Sequence, residues 1–252
     1  MEPCTSKEAE RGPNPPATTR SILRARSELR APSQRDVRAW NRANVYWIVD
    51  QKEKWTEPIS AADKVRGFLG WHTRGYLPHF DAPGVTQFVT FRLMDAMPAE
   101  RRNEWECLLK LEDEEEKRRR LEAYLDRGCG ECHLRQTRIG ECVQTALLHF
   151  DGDRYQIHGW VVMPNHVHAL FTQFVPLGGI IESWKRFTAV QANRLLGRNG
   201  AFWQEDYFDT FMRDEAHFQR ARRYTEDNPI KAKLVRTARE WPWSSARRGT
   251  AL

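Results

Sequence analysis

The sequence predicts an α+β fold of the ferredoxin-like kind, an antiparallel sheet of βαββαβ order with helices on one face and an additional C-terminal helix. Two observations predict it. Residues 155–172 read as strand, turn and strand, which indicates an antiparallel hairpin. Helical patterns separate this hairpin from strand-like segments at 86–93 and 202–212. A length of 252 residues suits one such core with extensions.

The strands are predicted from period-two alternation and turn residues. Residues 86–93 alternate so that Phe88, Thr90 and Arg92 share one face of a strand. The hairpin has strands at 155–163 and 166–172, joined by a tight turn at Pro164-Asn165. The last strand is expected at 202–212.

Four stretches have the apolar spacing of helices. The first helical region begins at Pro98, since proline is common in a first helical turn. Within this region an acidic block is followed by a basic block, which suits i,i+4 ion pairs on a solvated helix surface. Gly178 and Gly179 precede the third helix. Pro229 ends the fourth, because the residue before a proline disfavours helical geometry. The helices are expected at 105–125, 139–150, 180–196 and 215–228.

The chain divides into three parts by composition. Residues 1–74 are expected to be an Arg-rich and partly disordered N-terminal extension, because proline and basic residues there outweigh apolar periodicity. Residues 75–247 are expected to form the main folded domain, and residues 248–252 a tail.

Charge and composition restrict the class of partner. The chain has 40 Lys and Arg against 34 Asp and Glu, a net charge of +6, and +5 of this excess lies after residue 178. This balance favours a polyanion. No apolar run is long enough to cross a membrane, so no membrane partner is expected. Five cysteines without a secretory signal indicate reduced thiols and a cytoplasmic location.

His166 and His168 stand two residues apart in a predicted strand, so both imidazoles face the same side. Two neutral imidazoles at this spacing form half of a metal site. The alternative is a pair of exposed or hydrogen-bonded histidines. A histidine-triad nucleotide hydrolase is largely excluded, because the position of the third histidine is Leu170.

The residues around these histidines resemble a known family. Segment 159–170, Gly-Trp-Val-Val-Met-Pro-Asn-His-Val-His-Ala-Leu, is similar to the His-hydrophobic-His (HUH) segment of single-tyrosine transposases, and more narrowly to that of the REP-associated tyrosine transposases of bacteria. Further similar blocks, within about two thirds of the chain, lie at 76–81, 87–93, 183–188, 202–209, 223–232 and 241–245.

The resemblance implies a nucleophile and a metal site. The family's tyrosine stands four residues before Asn-Pro, which is Tyr224 here, and it attacks a phosphate of single-stranded DNA to leave a 5′-phosphotyrosyl link and a free 3′-OH. Tyr224 and Asn228 are four apart on one helix and can face the same place. Asn228 is then the expected third metal ligand beside His166 and His168, for Mg²⁺ or Mn²⁺. The alternative is a helix stop, because Asn before Pro commonly ends a helix. Tyr207 is the rival nucleophile.

Basic and aromatic residues suggest how DNA is held. Contacts with phosphate are expected from some of Lys185, Arg186, Arg220, Arg223 and Lys231, although a solvated helix face explains any single one equally well. Four tryptophans could stack on bases, but core packing is expected for most of them: Trp184, Trp203, Trp241 and Trp243.

A zinc site is the alternative use of the cysteines. Cys129 and Cys132 with His133 and Cys142 do not have the spacing of a common zinc finger, and incidental thiols are the favoured interpretation.

Taken with the resemblance, the residues predict a metal-dependent endonuclease and strand transferase. Its substrate is expected to be single-stranded or hairpin DNA, and the family implies hairpins of repetitive extragenic palindromes. The expected location is the bacterial cytoplasm, at the nucleoid. The main alternative is a DNA-binding protein of the same fold that no longer cuts, and a zinc-stabilised nucleic-acid binder is a third. A monomer and a homodimer are both open.

Overall fold

A computed structural model describes residues 59–73, 78–96 and 127–248, together with residues 107, 116, 120 and 123–125. Its strands are β1 (Gly70–Thr73), β2 (Pro78–Asp81), β3 (Thr86–Arg92), β4 (Tyr155–Val162), β5 (His166–Gln173) and β6 (Phe208–Phe211). Its helices are α1 (Ala61–Val65), α2 (Thr137–His149), α3 (Leu177–Leu196), α4 (Glu215–Lys231) and α5 (Ser245–Arg248), with 3-10 turns at His133–Arg135 and Ala238–Glu240. Within these residues, no helix has the length and apolar character needed to cross a membrane.

The main sheet has the strand order β4-β5-β3-β6, and its neighbouring strands are all antiparallel. β3 lies in the middle, between the second strand of the hairpin and the last strand of the domain. This order confirms the predicted ferredoxin-like arrangement. In the register of β3 with β5, Thr90 is opposite His168 and Arg92 is opposite His166.

The two faces of this sheet have different coverings. On one face the main core buries Phe91 and Phe171 against Trp184 of α3, and α2 packs on the same cluster. On the other face Phe88 and Leu170 pack against α4. The prediction of helices on one face and an additional C-terminal helix is therefore confirmed, and α4 covers the face that carries the histidines.

The last strand is shorter than predicted. β6 covers only Phe208–Phe211, and Trp203 makes an isolated bridge with Leu93. Between them the chain leaves the sheet, where the Lys185 ammonium donates to the carbonyl oxygens of Glu205 and Asp206. The strand prediction at 202–212 was wrong for 204–207. The Gln204 N–H still donates to the Arg92 carbonyl oxygen of β3 at 3.0 Å, but the carbonyl oxygens of Glu205 and Asp206 accept from Lys185 of α3 instead of from a neighbouring strand.

Pro229 does not end the last helix. α4 continues to Lys231, with Pro229 buried inside it. A proline removes one helical N–H, but Ala232 N–H donates to the Asn228 carbonyl oxygen at 2.9 Å and continues the helix beyond it. The predicted end at 228 was therefore wrong by three residues, and this difference brings Lys231 onto the helix.

The first turn of α3 also differs from the prediction. Gly178 and Gly179 lie inside the helix, which begins at Leu177. The buried Asp81 carboxylate accepts a hydrogen bond from the Leu177 N–H at 3.2 Å and from Gln173 Nε2 at 2.6 Å. The start of α3 is thus capped by a carboxylate from β2. The residues just before α3 do not supply this cap, so the local sequence could not predict it.

The β1–β2 hairpin crosses the expected domain boundary at residue 75. Trp71 of β1 packs on Phe80 and on Phe211 of β6, with ring centroids 5.0 and 5.5 Å apart. The boundary stays a prediction, as do the N-terminal extension and the tail. The helix expected at 105–125, with its start at Pro98, lies mostly outside the described residues.

Candidate active site

The two histidines of β5 converge on one point beneath α4. Strand alternation places both rings on the same face, and both are buried, His166 at 1% and His168 at 0% exposure. Their Nε2 atoms are 3.1 Å apart. Because the two histidines are two residues apart on a strand, their Nε2 atoms point at the same position.

The other nitrogen of each ring has its own partner. His166 Nδ1 is 2.7 Å from Asn165 Oδ1, and His168 Nδ1 is 2.7 Å from the hydroxyl oxygen of Thr90 on β3. Metal-binding histidines commonly have such a bond, because it orients the ring and leaves Nε2 free to coordinate.

Both rings are held neutral. Burial, with the positive charge of Arg92, lowers the pKa of His166 to about 3. Burial, with His166 and Lys231, lowers the pKa of His168 well below its ordinary value. A neutral imidazole is the form that binds a metal ion.

α4 brings Tyr224 and Asn228 to the same place. The Tyr224 ring packs edge-on against the His168 ring, with centroids 5.3 Å apart, and against Phe88 at 5.9 Å. Asn228 is fully buried, and its Nδ2 is placed 3.4 Å from His168 Nε2. The spacing of four residues thus puts both side chains over the histidines, as expected. The Tyr224 hydroxyl oxygen is shielded from solvent, so any substrate has to open a path to it.

The spacing of the two histidine nitrogens suits an octahedral divalent cation, and the Asn228 amide can add an oxygen donor, the type that Mg²⁺ and Mn²⁺ prefer. Adjacent ligands of an octahedral Mg²⁺ lie about 3 Å apart, since each is about 2.1 Å from the ion, and the two Nε2 atoms are 3.1 Å apart. Asn228 Oδ1 is buried and has no hydrogen-bond partner among the described residues. The O and N atoms of an amide are interchangeable by rotation, so this oxygen can replace Nδ2 beside His168. No group of three His, Cys, Asp or Glu side chains suited to a metal ion occurs in the described part of the chain, so the site depends on this amide.

Two cations flank the site. The Lys231 ammonium nitrogen lies 4.3 Å from the centroid of the Tyr224 ring. Arg92 is 7% exposed, stands opposite His166 in the register, and places its guanidinium 5.5 Å from the Phe208 ring centroid.

Sequence reasoning did not assign Asn165, Thr90 and Arg92 to the site. The alternation of 86–93 already placed Thr90 and Arg92 on one face of their strand. The missing information was the pairing with β5, which makes that face the histidine face.

The residues expected to contact DNA fall into two groups. Arg220, Arg223 and Lys231 are exposed on α4, the helix of Tyr224. Lys185 and Arg186 belong to α3, on the other side of the sheet, and Lys185 donates to two loop carbonyls.

The rival nucleophile and the tryptophans lie on the α3 side. Tyr207 packs against the main core there, away from the histidines. Core packing of the tryptophans is confirmed, since all four are buried: Trp184, Trp203, Trp241 and Trp243.

The cysteines form no zinc cluster among the described residues. Burial raises the pKa of the Cys132 thiol and of the Cys142 thiol, which favours the protonated form that does not bind zinc. Cys132 Sγ is instead 3.2 Å from the Gly128 carbonyl oxygen.

The fold and the paired histidines together define an α+β protein with a candidate catalytic site between a sheet and its last helix. The resemblance to REP-associated tyrosine transposases is confirmed by a curated relative, the REP-associated tyrosine transposase of Escherichia coli (strain K12), which is 25% identical over 114 residues, 44% of this chain and 67% of the relative. A solved structure of the REP-associated tyrosine transposase bound to a REP hairpin aligns with a TM-score of 0.48 and 18% identity, over 71% of this chain and 86% of that one. No family model matches the chain.

Proposed function

We propose that this chain is a metal-dependent endonuclease and strand transferase of the HUH single-tyrosine kind. It cleaves single-stranded or hairpin DNA through a 5′-phosphotyrosyl intermediate, with hairpins of the repetitive extragenic palindrome type as substrate, at the nucleoid of a bacterial cytoplasm. One observation carries the proposal. The Tyr224 ring packs 5.3 Å from the His168 ring, whose Nε2 converges with that of His166.

The reaction is a phosphoryl transfer to tyrosine. The Tyr224 oxygen attacks the phosphorus, and the bond between phosphorus and the 3′ oxygen breaks. The phenol gives its proton to solvent, and the 3′ oxygen takes a proton from solvent and leaves as a 3′-OH. In strand transfer, a 3′-OH attacks the phosphotyrosine, and the phenol regains a proton. Each step exchanges one phosphodiester for another, so no external energy source is required.

His166, His168 and Asn228 would hold the metal ion, Mg²⁺ or Mn²⁺. When bound, such an ion supplies Lewis-acid polarisation of the phosphate. The chain's own contribution is position. The sheet holds the two imidazoles neutral and fixed, while α4 holds Tyr224 and Asn228 four residues apart over them.

Lys231 and Arg92 supply positive charge beside the histidine pair, Arg92 at His166 and Lys231 at His168. A transferring phosphate gathers negative charge, and fixed cations in a partly buried site stabilise it more strongly than water does. Lys231 is on α4 beside Tyr224, and Arg92 is on β3 beside His166.

Covalent trapping tests the proposal. A labelled REP hairpin with a single-stranded flank is incubated with the protein and Mn²⁺, and denaturing gels should show a protein–DNA adduct. Tyr224→Phe should abolish the adduct. The matched control is Tyr207→Phe, which should leave the adduct intact because Tyr207 lies on the other side of the sheet. An adduct with Tyr224→Phe would show that the nucleophile is another residue. Tight binding of the hairpin by the unaltered protein with no adduct would instead favour the non-catalytic DNA-binding protein.

A further inference from the structure

Asn165 links the first histidine to a neighbouring loop. It is 1% exposed and directly precedes His166. Its Nδ2 donates to the Leu125 carbonyl oxygen at 3.3 Å and to the Cys129 carbonyl oxygen at 3.0 Å, while its Oδ1 is 2.7 Å from His166 Nδ1. Every polar atom of this side chain therefore has a partner.

These bonds determine which way the amide points. Rotating it would set Oδ1 against two carbonyl oxygens, and none of the three oxygens has a proton to share. Asn165 Oδ1 consequently faces His166 and can only accept. His166 must carry its proton on Nδ1, which leaves the lone pair of Nε2 directed at the metal position.

His168 has a partner of a different kind. The Thr90 hydroxyl, 2.7 Å from His168 Nδ1, can rotate and either donate or accept. His166 Nε2 has no proton and lies 3.1 Å from His168 Nε2. Without a cation, His168 therefore donates from Nε2 to His166, and Thr90 donates to His168 Nδ1. The Asn228 amide, 3.4 Å from His168 Nε2, then turns its oxygen toward this N–H.

We propose that Asn165 is a positioning residue that commits His166 to the metal-binding tautomer, whereas Thr90 lets His168 change tautomer when a cation arrives. In that change the His168 proton passes from Nε2 to Nδ1, and Thr90 becomes the acceptor. The imidazole stays neutral, so no proton is gained or lost. The role of the metal rests on the proposed function, while the tautomer of His166 does not.

The loop that holds Asn165 is itself anchored. The Glu131 N–H donates to the Asp95 carboxylate at 2.8 Å. Gly130 has φ +89°, and a Cβ there would lie 2.5 Å from the Asp95 carbonyl oxygen, so the close approach requires glycine. Cys129 contributes its carbonyl oxygen rather than its thiol, which gives this Cys-x-x-Cys segment a role that needs no zinc.

The direct test is nitrogen-15 NMR of the histidine rings in the metal-free protein, which shows which ring nitrogen carries the proton. His166 should be the Nδ1–H tautomer and His168 the Nε2–H tautomer. Saturation with Mg²⁺ should convert His168 to Nδ1–H and leave His166 unchanged. An Nε2–H signal from His166 in the metal-free protein would overturn the proposal, even if the protein never cleaves DNA. If wild type fails to bind Mg²⁺ or Mn²⁺ while His166 is Nδ1–H, the metal-dependent function fails and the assignment of Asn165 stands.

Metal affinity is the second measurement. Asn165→Ala should weaken Mn²⁺ binding by about 10- to 100-fold, the usual cost of losing such a support. Cys142→Ala, on α2 at the opposite side of the sheet, should bind Mn²⁺ as wild type does. Retention of wild-type Mn²⁺ affinity by Asn165→Ala would overturn the positioning role. If Asn165→Ala does not fold, Thr90→Val gives the comparison: it should retain the His166 tautomer and weaken Mn²⁺ binding, because His168 loses its acceptor.

Discussion

The ammonium nitrogen of Lys231 lies 4.3 Å from the centroid of the Tyr224 ring, one side chain above the other on the last turns of α4. The two residues are seven apart, so a regular helix aligns them on one face together with Asn228. A cation at this distance both contacts the aromatic face and adds positive charge beside the proposed nucleophile.

Removing this charge should weaken DNA binding. We expect Lys231→Met to lower hairpin affinity and to reduce the slope of log affinity against log salt concentration by about one. Lys233→Met is the matched control, because Lys233 is exposed and lies beyond the end of α4. Equal salt slopes for wild type and Lys231→Met would show that Lys231 does not contact phosphate.

Arg92 should act on the chemical step rather than on binding. We expect Arg92→Gln to slow adduct formation by about 100- to 1,000-fold, the usual cost of losing a donor at a developing negative charge. Hairpin affinity should change little. Mn²⁺ affinity should be kept or increased, since a positive charge beside His166 is removed. Arg194→Gln, in a residue exposed on α3 at the opposite side of the sheet, should leave all three quantities unchanged. A parallel loss of Mn²⁺ affinity and adduct rate would indicate that Arg92 only supports the fold.

The amide of Asn228 should set the strength of metal binding. We expect Asn228→Asp, which has the same shape and adds a negative charge, to bind Mn²⁺ at least as tightly as wild type. Asn228→Leu should bind Mn²⁺ about tenfold or more weakly, since it has no oxygen ligand. Calorimetric titration measures both affinities. If all three proteins bind Mn²⁺ equally, Asn228 is not a ligand.

Stability should fall in acid. Burial, with the charge of Arg222, lowers the pKa of His158 from 6.5 to about 4. The unfolded chain therefore binds more protons than the folded one between these values, and the free energy of unfolding should decrease as the pH falls from about 6.5 to 4. His166 and His168 act in the same direction. Each pKa unit corresponds to about 1.4 kcal/mol. Urea unfolding midpoints, measured at several pH values, should decline with falling pH less steeply for His158→Gln than for wild type. If the two proteins decline in parallel, His158 makes no contribution.

Gly140 of α2 should tolerate no side chain. A Cβ there would lie 2.7 Å from the indole ring of Trp243, so Gly140→Ala should destabilise the fold by about 1–3 kcal/mol. Gly179→Ala is the control. It has open space and lies in a helix, and we expect it to stabilise by about 0.4–1 kcal/mol. Chemical unfolding of the two variants should give shifts of opposite sign, and two shifts of the same sign would contradict the packing of Trp243 on α2.

The sequence by itself determined the hairpin, the strand at 86–93, and the spacing that puts His166 with His168 and Tyr224 with Asn228. These features are local: side chains alternate along a strand and return every 3.6 residues on a helix, so each pair could be found without the fold.

Only the tertiary structure decided that α4 covers the histidine face and that Thr90 and Arg92 stand opposite the two histidines. Strand pairing and helix docking join residues that are far apart in the chain, and local patterns are silent about them. The same is true of Pro229. A proline locally favours a helix end, but here it is buried inside α4, the helix continues beyond it, and Lys231 reaches Tyr224.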